Sequence, residues 1–169
     1  PSQGLIGRWS FDSVEDLGKN AVTGAALNKL GNPAWSSNGK LGGAVEFDGS
    51  SLLSANTSTI KNLPLGNSSY SVSLWFKART LNYGGFIGWG VYGSQNKVNA
   101  FRLNGNASLH NYWWANDLSA PTGPAMDPNV WYHAVATYDG AIRSIYLNGQ
   151  KIASGASSGA DVQAGEFEI

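Results

Sequence analysis

The residue types able to do chemistry are few, and they fall into carboxylates, histidines and aromatics. Glu46 and Asp48 lie two apart, so on a strand both side chains leave the same face. Paired carboxylates on one face are the equipment of glycoside hydrolysis, where one attacks and the other donates a proton. Gly49, Ser50 and Ser51 follow, with no further acid. A turn at Asp48-Gly49 beside a solvated Glu46 is therefore the stronger account of the pair. His110 and His133 are the only histidines and cysteine is absent. Disulfides and thiolate metal sites are thus excluded, and neither a histidine metal cluster nor a Ser/His/Asp triad has support.

Aromatic side chains offer the other chemistry. A sugar presents flat C–H faces that stack on rings, while its hydroxyls need Asn, Asp, Arg or Gln. Most tryptophan is simply core, and strand parity separates the two uses. In the run from Tyr70 to Arg79, positions 70, 72, 74, 76 and 78 share an apolar face, which leaves Trp75 on the polar one with Ser73 and Lys77. Arg102 lies opposite in parity to Phe101 and Leu103. With Leu109 inward, Trp113 follows it, and His110, Tyr112 and Trp114 point outward. The expectation is one ligand-binding surface of Trp75, Arg102, His110, Tyr112 and Trp114, with Asn116 and Asp117 at its rim. In the segment 85–92, Ile87, Trp89 and Val91 face inward, which leaves Phe86, Gly88, Gly90 and Tyr92 on the other side, where the glycines let a flat ligand or another backbone approach closely.

The elements that position these residues are short strands broken by Gly, Asn, Asp and Pro. Candidates are Leu5–Phe11, Ala44–Phe47, Ser51–Ala55, Tyr70–Arg79, Gly85–Val91, Val98–Leu103, Ala107–Trp114, Trp131–Tyr138, Ile142–Leu147, Lys151–Ala153 and Glu166–Ile169. Asp139-Gly140 and Asn148-Gly149 are hairpin signals, so the last third reads as an antiparallel meander. Val14–Leu30 reads as a long loop with a turn of helix, and Ala153–Ala164, rich in Ser, Gly and Ala, as a flexible loop. Many short strands spaced by turns predict an all-β sandwich or barrel, and 169 residues without repeat or linker fit one domain.

Composition narrows the partners. Eleven basic side chains balance eleven acidic ones and are scattered singly, unlike the basic patch that nucleic acid or an anionic membrane requires. No apolar run approaches a membrane span, and Pro1–Gly4 shows no signal-peptide pattern. The sequons at Asn56, Asn67 and Asn106 are no more than an Asn- and Ser-rich chain produces by chance.

Four segments resemble laminin-G-like domains of the concanavalin-A-like lectin and glucanase superfamily. They are Gly4-Leu-Ile-Gly-Arg-Trp-Ser-Phe-Asp12, Gly42-Gly-Ala-Val-Glu-Phe-Asp-Gly49, Ser71-Val-Ser-Leu-Trp-Phe-Lys77, and Trp131-Tyr-His-Ala-Val-Ala-Thr-Tyr-Asp-Gly140 with Ile145-Tyr-Leu-Asn-Gly149. They lie in the family's order across nearly the whole chain. The resemblance implies an antiparallel two-sheet jelly-roll sandwich, a structural His133, and a Ca²⁺ held by Asp12 and Asp48 with loop carbonyls. It also implies a closing strand beyond Phe167-Glu-Ile169, which another chain or segment would then supply. The glucanases of the superfamily need a third acid in a compact array, which Glu46 and Asp48 lack. The functional expectation is a non-catalytic, lectin-like module that binds a glycan or glycoconjugate, secreted or appended to an extracellular enzyme. An adhesion domain with a protein partner is the alternative, and a glycoside hydrolase or lyase stands third.

Overall fold

A computed structural model describes residues 4–105, 107–120 and 126–169. Asn106, one of the sequons, lies outside the described residues. The chain is all-β: β1 (Asn28–Leu30), β2 (Ala34–Ser36), β3 (Ala44–Glu46), β4 (Leu52–Asn56), β5 (Tyr70–Phe76), β6 (Gly84–Gly90), β7 (Val98–Asn104), β8 (Ser108–Tyr112), β9 (Leu118–Ser119), β10 (Tyr132–Tyr138), β11 (Ile142–Leu147), β12 (Gln150–Ala156) and β13 (Glu166–Glu168). Every pairing described is antiparallel. The chain divides into two compact units, residues 1–63 with 165–169, and residues 64–164.

In the first unit β4 is flanked by β1 on one side and β13 on the other, and β2 pairs with β3. Ile169 extends the pairing by exchanging both backbone hydrogen bonds with Leu53. Phe167 is buried and stacks on Trp9, with ring centroids 5.1 Å apart. The strand expected over Leu5–Phe11 does not form. The side chain of Asn20, wholly buried, takes its place as a hydrogen-bonding partner: Oδ1 accepts from Arg8 N and Nδ2 donates to Ile6 O. Phe11 then turns to φ 56°, which an extended strand does not tolerate. The segment 14–30 holds turns, a bridge between Lys19 and Ala26, and β1, with no turn of α-helix.

The second unit carries two sheets, ordered β6-β7-β8-β9 and β12-β11-β10-β5. Their inner faces meet through Phe76 against Phe86 (4.6 Å between centroids), Tyr70 against Trp89 (5.5 Å) and Tyr138 against Trp113 (5.0 Å). Period-two alternation places these rings inside. On β10 the inward residues Tyr132, Ala134, Ala136 and Tyr138 are all buried. The meander turns as its Asn-Gly signal requires, with Asn148 at φ 49° and Gly149 at φ 82°. At the other hairpin the Asp139 carboxylate accepts from Ala141 N and Ile142 N, which holds it below the usual carboxylate range.

A polar cluster sits inside this sandwich. Asn111 accepts from Tyr70 Oη (2.8 Å) and donates to Asn99 Oδ1 (2.8 Å), which also accepts from Trp113 Nε1 (3.1 Å). Arg143, only 2% exposed, lies over the Trp113 ring at 3.9 Å and donates to Ser157 Oγ and Asn111 O. Buried polar groups cost little only when they are bonded in this way.

Ala153–Ala164 is not the loose loop its composition suggests. Residues 153–156 belong to β12. Beyond them Ser157 N donates to Ala141 O, Asp161 N to Asn96 O, and Val162 forms a bridge with Gly66. Lys97 pairs with Asp161, and Val162 is buried. Small residues here mark close approach of backbones, and the hydrogen bonds come from main chain that composition does not reveal.

Candidate functional site

The expected single surface divides in two. Trp75 projects outward from β5, in one sheet, whereas Arg102, His110 and Tyr112 project outward from β7 and β8, in the other. Parity gave each direction correctly, but the sheet to which a strand belongs is a matter of long-range pairing that parity does not contain. Trp75 is 43% exposed and Trp114 38% exposed, and Tyr112 is half-buried.

Arg102 and His110 are cross-strand partners. The Arg102 guanidinium lies flat over the Tyr112 ring, with Cζ 3.9 Å from the centroid. Trp114 meets the far side of the cluster edge-on, 5.7 Å from Tyr112. It leaves the strand because Trp114 and Ala115 both adopt positive φ, 56° and 63°. Asp117 stabilises that reversal by accepting from Trp113 N at 2.7 Å. Asn116, expected at the rim, is tied down by its side chain. Its amide nitrogen is spent on Asn96 Oδ1 and Ser158 O, so it anchors the loop.

His110 is the principal correction in burial. Its outward register holds, yet it is only 5% exposed, packed edge-on against Tyr112 at 5.8 Å. Neither ring nitrogen has a hydrogen-bond partner, and neither has Arg102 Nε. Nε2 stands 3.6 Å from Asp117 Oδ2, a distance that would be an ion pair were the ring charged. Burial pushes the imidazole pKa down, Asp117 pulls it back, and Arg102 and Arg143 push it down further. Burial wins, so the contact at neutral pH is a neutral ring beside a carboxylate. Burial likewise raises the Tyr112 phenol, which stays protonated.

Tyr92 reaches this face, on the side expected with Gly88 and Gly90, whereas Phe86, expected there too, packs inward on Phe76 and Phe101 because the register shifts between Gly85 and Ile87. A Cβ at Gly88 would collide with the Tyr92 hydroxyl, so the glycine exists on β6 to let that phenol lie across the strand. The signal was the Gly88, Gly90, Tyr92 spacing, which marks close approach without naming what approaches.

The remaining expected residues lie in the first unit. Asp48 is exposed and its Oδ1 accepts from Ser50 N and Ser50 Oγ, both at 2.9 Å. These bonds, with Ser51, hold its pKa at about 2. Asp12 packs over Gly42, where a Cβ would strike its carboxylate. Among the described residues no three His, Asp or Glu side chains come together as a metal group. Calcium takes six to eight oxygens, so these two carboxylates do not by themselves fit it. A second pair of carboxylates escaped the sequence reading. Glu166 and Glu168 share a face of β13 opposite buried Phe167, and burial, with Glu166 adding, raises Glu168 above the ordinary glutamate range. The signal was the Glu-Phe-Glu spacing, the same one that singled out Glu46 and Asp48.

No curated relative matches the chain in sequence. Among solved structures it is similar to domain 4 of AbnA, a GH43 extracellular arabinanase from Geobacillus stearothermophilus solved in complex with arabinotriose. The TM-score is 0.74 at 19% identity, with 97% of this chain and 82% of that chain covered. That likeness is one of fold. The family Laminin_G_3, of the concanavalin A-like lectin/glucanases superfamily, matches residues 48–169. This span holds both sheets of the second unit together with β4 and β13, and on that agreement of sequence and architecture the chain belongs to the concanavalin A-like lectin/glucanases superfamily.

Proposed function

We propose that the chain is a non-catalytic glycan-binding module that holds its ligand on the outward face of β7 and β8. The observation that carries this reading is the Arg102 guanidinium spread over Tyr112 with Trp114 beside it. Rings of this kind take the C–H face of a sugar, and the outer nitrogens of Arg102 and the Asp117 carboxylate take its hydroxyls. Tyr92 borders the same face. The arabinotriose held by a domain of the same fold supports a carbohydrate ligand, and its extracellular parent supports a secreted setting for this chain. A hydrolase would need paired carboxylates, and Glu166 and Glu168, which share a face of β13, belong to the first unit.

The test is a glycan array probed with and without EDTA. Binding that is weakened in Trp114→Ala and unchanged in Glu168→Gln supports the reading. Silence on every glycan, with capture of a protein ligand instead, replaces it with adhesion. The EDTA arm bears on calcium, which we propose binds at Asp12 and Asp48 only with backbone carbonyls completing the shell. A melting temperature indifferent to both Ca²⁺ and EDTA refutes that site.

A further inference from the structure

We infer that the outward face of β5 and β10 is a second glycan-contact surface, centred on the Trp75 indole, that binds independently of the Arg102 face. It extends the glycan reading while using none of the same residues. Trp75 is held ready. Its ring is tilted against His133 at 5.1 Å, and the His133 ring shares a 2.8 Å hydrogen bond with Ser73 Oγ. The backbone of His133 is fixed in turn by donation to Asn148 Oδ1. A ring already locked in place gives up little conformational freedom on binding.

The neighbours have the chemistry of a sugar platform. Ser73 and Ser71 follow Trp75 along the outward side of β5, and Val135 and Thr137 stand opposite them on β10. The next outward step beyond Trp75 brings Lys77, whose ammonium lies 5.2 Å from the Trp131 ring centre. One indole thus lies against the ammonium, and Trp75 shares the outward side with the hydroxyls of Ser71, Ser73 and Thr137. Val135 is the one aliphatic side chain in this stretch. A protein partner would want a more apolar centre with its charges at the rim. A polyhydroxylated chain wants flat rings with hydrogen-bonding groups beside them.

The experiment titrates arabinotriose and soluble linear arabinan into wild type, Trp75→Ala, Tyr112→Ala and the double variant, by calorimetry and by turbidity. Wild type should show two sites per chain, each single variant one, and the double variant none. Wild type alone should crosslink arabinan, because two faces on opposite sheets engage two chains. Trp75→Phe should restore most of the lost site, which separates stacking from misfolding. A stoichiometry unchanged in Trp75→Ala overturns the inference, as does loss of all binding in Tyr112→Ala alone. No site for either probe also overturns it, while the array decides the broader glycan reading separately.

Discussion

The two outward faces of the second unit invite comparison. On the face of β7 and β8 the outward positions are charged or titratable, closely packed and short of partners: Arg102 Nε and both His110 nitrogens are buried without hydrogen bonds. On the face of β5 and β10 the hydroxyls of Ser71, Ser73 and Thr137 stand with Trp75, Val135 and His133, and the histidine is bonded to Ser73. Each face carries exposed tryptophan, yet one is built over unbonded polar atoms and the other over bonded ones. The first face thus keeps its unbonded nitrogens beneath the surface, and the second offers a ring on a hydrogen-bonded support.

The largest effect should come from Trp113→Ala. Trp113 is wholly buried, carries Arg143 and Tyr138 on its ring and donates to Asn99. Its loss should cost about 3–5 kcal/mol of stability, read as a shift in denaturant midpoint. Below the new melting point it should abolish binding at the Arg102 face and leave the Trp75 face working. Loss at both faces would show that they share one support.

Tyr112→Ala should weaken binding at the Arg102 face by at least roughly tenfold, about 1–2 kcal/mol for a ring that stacks on a partly desolvated guanidinium, enough to drop that site below what calorimetry resolves. Trp75→Ala should leave the affinity of that face unchanged. A Tyr112→Phe variant that binds like wild type would confirm that the ring face, rather than the phenol, makes the contact.

The smallest effect is the pH response. The folded-state pKa of His110 lies below its unfolded value of about 6.5. The unfolded chain therefore takes up the proton first. Stability should be constant above about pH 6.5 and fall as pH drops through the folded pKa. His110→Gln should flatten that decline below about pH 6.5, and an unaltered slope would show that the ring is not the titrating group. Asp48 and Asp139 enter only at lower pH. Their depressed values withdraw stability as pH falls below about 4.

Much of this architecture could be read from residue pattern. Alternation along β5 and β10 and the two turn dipeptides located the meander and its buried side, because side-chain direction on a strand follows from local geometry alone. Direction was also right for Arg102, His110 and Trp75. Burial was not, since His110 is covered by a cross-strand arginine and a ring two residues away. Sheet membership was not legible either, which is why Trp75 was grouped with residues of the other sheet. The segment from Leu5 to Phe11 failed for another reason. Its alternation is that of a strand, but a buried asparagine side chain met its backbone before any neighbouring strand did.

The pairing of residues 165–169 with Leu53–Thr57 sets an order of events. Gly165 N donates to Thr57 Oγ1 across 108 positions, so the first unit to leave the ribosome lacks β13 until the second has been made. During vectorial synthesis residues 64–164 can collapse around contacts of their own, whereas β4 must wait with an open side. Residues 165–169 thus act as a clasp on the first unit: without them β4 would be open on that side and Trp9 would lose the ring it stacks on.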